Sequence, residues 1–137
     1  MTNTYSAKRV IRFSDVDMFG HVHNLSQIQY AEDAGVELVR SMFRELAIED
    51  SGFYGIAHVN ARFASLLPWR ATEVSLLTRI SRITARCVTF ETDVTSKTGT
   101  HSHVTQKAFR IGTDGQPRRV SDEERNWLVN YLVPPAE

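Results

Sequence analysis

Residues 11–37, IRFSDVDMFGHVHNLSQIQYAEDAGVE, change character twice. Arg9–Phe13 alternate, and Val10, Ile11 and Phe13 favour a pleated, half-buried surface until Ser14 ends the pattern. Asp15, Asp17, Gly20 and Asn24 are turn and helix-start residues: short polar side chains bond nearby backbone N–H groups, and glycine tolerates positive φ. From Leu25 the apolar positions are Leu25, Ile28, Ala31, Ala34, Leu38, Val39, Met42, Phe43 and Leu46, mostly three or four apart, as one face of a helix requires. A helix over Asn24–Ala47 would be about 36 Å long at 1.5 Å per residue, so other elements must wrap it.

Such a stretch suggests a reaction. The first turn of a helix has unpaired N–H donors and the equivalent of about half a positive charge. It can hold an oxygen that gains negative charge. A carboxylate just before it, Asp17, could attack a carbonyl or activate water while N–H groups around Gly20–Asn24 polarise the carbonyl oxygen. Acyl transfer is the class this points to.

The same residues resemble the hotdog-fold thioesterases of the 4-hydroxybenzoyl-CoA thioesterase type. That family has an aromatic, Asp-x-Asp, Gly-His-Val-Asn-Asn, and a helix with a Tyr, an acidic pair and a small residue. Here these read Phe13, Asp15-Val16-Asp17, Gly20-His21-Val22-His23-Asn24, Tyr30, Glu32-Asp33 and Ala34. The resemblance implies that Asp17 is the catalytic carboxylate and that Gly20, His21 and Asn24 receive the thioester carbonyl, with Phe19 and Val22 beside the substrate. It also implies an active unit of at least a dimer, sheets joined edge to edge and each site at a subunit interface. Four positions depart from the pattern: His23 for Asn, Gln27 for Tyr, Ala31 for a bulky aromatic and Gly35 for Arg. In that family the helix lines the acyl pocket, so the departures bear on which acyl group is taken.

Composition agrees with a single folded domain. The 137 residues fit one domain, 1–137, and 42% hydrophobic content suffices for a core. Sixteen basic and sixteen acidic residues leave no global field to draw the protein to nucleic acid or an anionic membrane. One cysteine, Cys87, excludes an intramolecular disulfide framework, fits a reducing compartment and reads as a small buried hydrophobe. No apolar run is long enough for a membrane span, and the N-terminus lacks an apolar signal region, so a cytoplasmic protein is expected.

After a loop over Ile48–Gly55, in which Phe53 and Tyr54 could wall a pocket, the period becomes β-like. Ile56–Phe63, Thr72–Ile83, Arg86–Thr95 and Thr100–Ile111 read as long strands, with Val74, Leu76, Thr78 and Ile80, then Val88, Phe90, Thr92 and Val94, on one side. Ser96–Gly99 and Ile83–Arg86 read as tight connections between antiparallel neighbours, and Pro68 marks a bend. Ser121-Asp-Glu-Glu124 is a capping box ahead of a short helix presenting Trp127, Leu128, Tyr131 and Leu132. The order predicts an α+β hotdog fold: an antiparallel sheet wrapped around one long central helix, with a short C-terminal helix.

Each site residue also has a plainer role. Asp17 can cap its turn, Asp15 can bond backbone and hold Asp17 in place, and Asn24 can cap the helix. His21 fits a neutral donor near the carbonyl or a helix-start residue without chemistry. His21-x-His23 lacks a third ligand at a recognisable spacing, so no metal is expected. Arg79, Arg82 and Arg86 cluster at one connection and could pair with coenzyme A phosphates, or lie on a solvated surface. No nucleophile elbow or phosphate-cradling glycine loop is present.

The reading is an acyl-CoA thioesterase acting on an acyl-CoA or acyl-carrier thioester without metal or redox cofactor, as a homodimer or homotetramer. Its rivals are a non-catalytic acyl-CoA or acyl-carrier binding module and a hotdog-fold hydratase. Met18, Phe19, Phe53 and Tyr54 could line an aromatic or a fatty-acyl pocket, with room left by Ala31 and Gly35.

Overall fold

The alternation at the N-terminus becomes a strand over Tyr5–Val10 (β1) in the computed structural model, which describes residues 2–49 and 51–134. Asp50 of the expected loop, and the ends of the expected 1–137 domain, lie outside the described residues. The strand ends earlier than the Arg9–Phe13 pattern predicts. At Arg12 the backbone N–H turns to the Asp15 carboxylate at 3.1 Å, and Phe13–Asp15 wind into a 3-10 turn that leaves Phe13 97% exposed.

The long helix α1 runs Asn24–Glu45, which is about 33 Å at 1.5 Å per residue. It stops two residues before Ala47 because Ala47 adopts a left-handed conformation, φ 53°, and the N–H groups of Ala47 and Ile48 fold back to the carbonyls of Arg44 and Phe43. This is a Schellman-type end with alanine where glycine is usual, so the sequence carries no stop signal there. Ala31, Ala34, Leu38 and Met42 are fully buried, whereas Leu25 is 79% exposed and does not belong to the apolar face expected for it.

Four further strands follow: β2 (Phe53–Phe63), β3 (Glu73–Ile83), β4 (Cys87–Ser96) and β5 (Gly99–Ile111). Their order is β1-β3-β4-β5-β2, and every neighbouring pair is antiparallel. β2 begins three residues earlier than expected, so Phe53 and Tyr54 stand in the strand, opposite Ile111 and Arg110. Gly52 makes this entry possible: its φ is +62°, and a Cβ there would lie 2.1 Å from the Ile111 carbonyl oxygen.

The alternation expected in β3 and β4 holds. Val74, Leu76, Ile80, Val88, Phe90 and Val94 are buried, and the inward hydroxyls of Thr78 and Thr92 satisfy each other at 2.8 Å. The core has two parts. One gathers Leu38, Met42, Ile80, Val88 and Leu128 around the C-terminal half of α1; the other gathers Val22, Tyr30, Ala34, Leu67 and Leu76 around its N-terminal half. Each fully buried leucine contributes about 1.5–3 kcal/mol by leaving water.

Helix α2 (Asp122–Leu128) starts as its capping box requires, with Ser121 Oγ accepting the Glu124 N–H at 3.1 Å. Glu124 also reaches the core. Its carboxylate accepts Arg110 Nε at 2.7 Å and the Tyr54 hydroxyl at 2.6 Å, and the buried guanidinium lies over the rings of Phe43 and Tyr54. Removing one partner of a buried ion pair leaves an uncompensated charge, so Glu124→Gln should cost about 3–5 kcal/mol. Urea unfolding of the two proteins measures this; a midpoint unchanged from wild type would show that the pair does not hold α2 to the sheet.

Candidate active site

The loop from Val16 to Val22 is closed like a small hairpin, Val16 and Val22 bridging across its base. The backbone of residues 66–69 holds its outer side, with Val22 N–H to Leu67 O at 2.8 Å and Trp69 N–H to Gly20 O at 3.0 Å. Gly20 turns the loop at φ +82°, a conformation that favours glycine. Buried Val22 anchors the loop in the core as a packing residue, while Phe19, expected beside the substrate, is 76% exposed.

Asp17 sits at the head of this loop, half-buried. Its Oδ1 accepts the N–H groups of Phe19 at 2.8 Å and His21 at 3.0 Å. Its Oδ2 makes no hydrogen bond or ion pair with the described residues. The bond from the His21 N–H, then that from Phe19, holds the carboxyl below its ordinary pKa, so it is ionised at neutral pH. His21 and His23 make no side-chain hydrogen bonds among the described residues.

Asp15 is the buried member of the pair. Its Oδ2 accepts the Tyr30 hydroxyl at 2.7 Å and the Arg12 N–H at 3.1 Å, and its Oδ1 faces the Arg12 guanidinium at 3.3 Å. Burial pushes this carboxyl up, but the bonds from Tyr30 and Arg12 outweigh it and leave the pKa lowered. Burial and the bond to Asp15 raise the Tyr30 phenol. Asp15 therefore bonds backbone as the sequence suggests; its tie to Tyr30 on α1 is what sequence reading missed.

The donors available to an oxyanion are fewer than the Gly20–Asn24 expectation. Gly20 N–H goes to Asp17 O, His21 N–H to the Asp17 carboxylate, Val22 N–H to Leu67 O and His23 N–H to Asp15 O. His23, not Asn24, is the N-cap, and the first helical bond is Gln27 N–H to His23 O. The N–H groups of Asn24, Leu25 and Ser26 remain unpaired among the described residues. A cavity of about 240 Å³ opens at this helix start, lined by Val22, Asn24, Gln27, Phe63 and Leu66. Gln27, absent from the sequence-stretch core, is 2% exposed and accepts the Ser102 hydroxyl at 2.7 Å.

A larger cleft of about 640 Å³ lies farther along α1, between its Glu32–Phe43 face and the start of β2. Gly35, Phe53 and Tyr54 line it, as the sequence suggested for pocket residues, but Met18, Phe19 and the core residue Ala31 do not. Arg82 and Arg86 are exposed at the β3–β4 connection, at the opposite end of β3 from the Asp17 loop. Within one chain they do not meet Asp17. Among the described residues no group of three or more His, Cys, Asp and Glu side chains could hold a metal ion, and no helix is long and apolar enough to cross a membrane.

Antiparallel sheet, wrapped helix and a carboxylate loop at the helix start together define a hotdog fold of the thioesterase type. The chain belongs to the thioesterase-like superfamily, whose family model matches residues 11–128. Solved structures agree in fold. A predicted thioesterase from Bacillus stearothermophilus superposes with a TM-score of 0.83 at 17% identity, covering 98% of this chain and 100% of that one. The Dynemicin thioesterase, crystallised in a study of polyene binding, gives 0.81 at 16% identity over 97% and 100%. The DHNA-CoA thioesterase from Staphylococcus aureus gives 0.75 at 11% identity over 93% and 88%. No curated protein matches the chain significantly in sequence.

The Tyr30–Asp15 bond predicts a pH signature. A carboxyl with a lowered folded pKa adds stability above its unfolded pKa of about 3.9, and that stability is lost as pH falls through the folded value. Tyr30→Phe should cost about 1.5–3 kcal/mol at neutral pH and flatten the loss of stability in acid. Urea midpoints measured across the acid range test this, and parallel curves for both proteins would contradict it.

Proposed function

We propose that the protein is an acyl-CoA thioesterase that uses water to convert a thioester into a carboxylic acid and free coenzyme A. The observation that carries this reading is an ionised Asp17 with one oxygen free, in a loop running directly into three unpaired N–H groups at the start of α1. Asp17 acts on the carbonyl carbon, either directly, through a mixed anhydride that water then opens, or by taking a proton from the attacking water. In both routes the Asn24, Leu25 and Ser26 N–H groups receive the developing oxyanion, and the thiolate leaves and takes up a proton. Stabilisation of this kind is typically worth about 3–4 kcal/mol per donor. His21, with a free imidazole, stands beside the carbonyl. The chemistry requires no metal or redox group.

We also propose that the working unit is a homodimer, or a pair of such dimers. β2 is an eleven-residue edge strand with its outer side unpaired among the described residues, and Phe53, Ile56, Val59 and Phe63 on it are exposed. Phe13, Met18, Phe19, Leu66 and Trp69 add exposed apolar surface around the Asp17 loop. Antiparallel pairing of two β2 strands about a two-fold axis sets the Phe63 end of one copy beside the Phe53 end of the other. Asp17 of one copy would then approach the cleft of its neighbour, and Arg82 and Arg86 of that neighbour would lie at the same end of the joined sheet, where coenzyme A phosphates could be met. Light scattering at micromolar concentration should give a dimer or tetramer; a monomer would remove the composite site.

One observation favours the rival binding module: Asp17 Oδ1 already serves its own turn. Asp17→Asn separates the two readings. It should lower acyl-CoA turnover at least about a hundredfold while folding and oligomeric state persist. The wild-type acid limb of kcat/KM that reports Asp17 should fall below the ordinary carboxylate value of about 3.9. Equal turnover by both proteins would eliminate Asp17 as the reacting group, and binding of acyl-CoA without turnover by wild type would favour the module.

A further inference from the structure

Two features of the larger cleft have no explanation within the folded chain. Gln106 lies on the core face of β5, opposite Val59 of β2 and Phe90 of β4, and borders the cleft. It is 1% exposed, and its Nε2 is buried with no hydrogen-bond partner among the described residues. Other inward polar groups of the sheet are matched: Thr78 with Thr92, Ser102 with Gln27, and Arg110, despite one unpartnered nitrogen, with Glu124. A buried donor left wholly unpaired is uncommon, because it has given up water without replacement.

The second feature is Gly35, inside α1 and on the same cleft. A glycine within a helix weakens it relative to alanine, and is usually retained where something packs too close for a Cβ. Here an added Cβ would meet nothing within 4 Å. The space in front of it is the cleft itself. Val39, Phe43, Phe53, Tyr54 and Phe90 make most of the lining apolar, a surface that suits an apolar body, with the Gln106 amide on its border.

We infer that Gln106 is a specificity-determining residue whose amide Nε2 donates a hydrogen bond to a hydroxyl or keto oxygen on the acyl group, so that oxygen-bearing acyl thioesters are preferred over plain alkyl ones. This rests on the thioesterase reading above. An acyl group without that oxygen leaves the amide unpaired, and sites built around a polar partner discriminate strongly against analogues that lack it.

The test compares octanoyl-CoA with its hydroxy and keto counterparts, the oxygen moved along the chain, using wild type, Gln106→Met and Gln106→Leu. Met keeps the unbranched shape and nearly the volume, and thermal melting confirms that each variant is folded. In wild type the best oxygen-bearing substrate should exceed octanoyl-CoA in kcat/KM by at least about tenfold, and in both variants that ratio should fall towards one. The same ratios measured by calorimetric binding to Asp17→Asn, alone and combined with each Gln106 change, do not depend on turnover. A binding preference that vanishes with Gln106, together with no hydrolysis of any of these thioesters by wild type, would uphold Gln106 as the residue that recognises the oxygen and defeat the thioesterase reading. Hydrolysis with no oxygen preference in wild type, or with a preference that survives both substitutions, would overturn the inference and leave the thioesterase reading standing.

Discussion

The bond between the Tyr30 hydroxyl and the Asp15 carboxylate joins the base of the Asp17 loop to the central helix. Asp15 is drawn down onto α1, its own carbonyl accepts the His23 N–H, and its carboxylate ends β1 by capturing the Arg12 N–H. Strand end, loop and helix start are thereby set relative to one another by one buried anion. An unpaired carboxylate in that position would be costly, so the surrounding donors determine both its ionisation and the path of the chain. Asp17, two residues on, bonds only within its loop and keeps an oxygen open to solvent.

The helix carries two separate cavities, one towards each end. At its start, unpaired N–H groups and the Asp17 loop face a small cavity. About three to five turns later, Gly35 and Phe43 face a larger apolar cleft beside the beginning of β2. β2 is an edge strand of the sheet that runs between these ends, and in the proposed dimer it is the line along which the Asp17 loop of one copy would meet the cleft of its neighbour. Stability at the cleft end comes from a different source, the buried Arg110–Glu124 pair and the aromatic rings around it.

Much of the architecture was legible in the sequence because its signals are periodic. Val74, Leu76 and Ile80 announce a strand face, and Ala34, Leu38 and Met42 a helix face, at spacings that depend on local geometry alone. The boundaries were less legible. Ala47 ends α1 in a left-handed conformation without glycine, and the Arg12 N–H leaves the sheet for a side chain three residues on. Around the candidate site, Asp15, Asp17 and Gly20 were legible from turn chemistry and family resemblance, whereas Asn24, read as the helix cap, stands one residue past the N-cap His23. The burial of Gln27, Gln106 and Arg110 was not legible, because a polar residue in a strand or helix reads as exposed until the face it occupies is known.

The sequence by itself determined the order of elements, the antiparallel sheet around a long helix, and an acidic turn before that helix, since each follows from short-range pattern and turn preference. The tertiary structure decided which N–H groups near Asp17 are spent and which are free, where the clefts open, and that Arg82 and Arg86 lie away from the Asp17 loop of their own chain. Those properties depend on partners far apart in sequence, such as Asp15 with Tyr30, Gln27 with Ser102 and Tyr54 with Glu124. Only the packing of the helix against the sheet brings such groups within hydrogen-bonding distance.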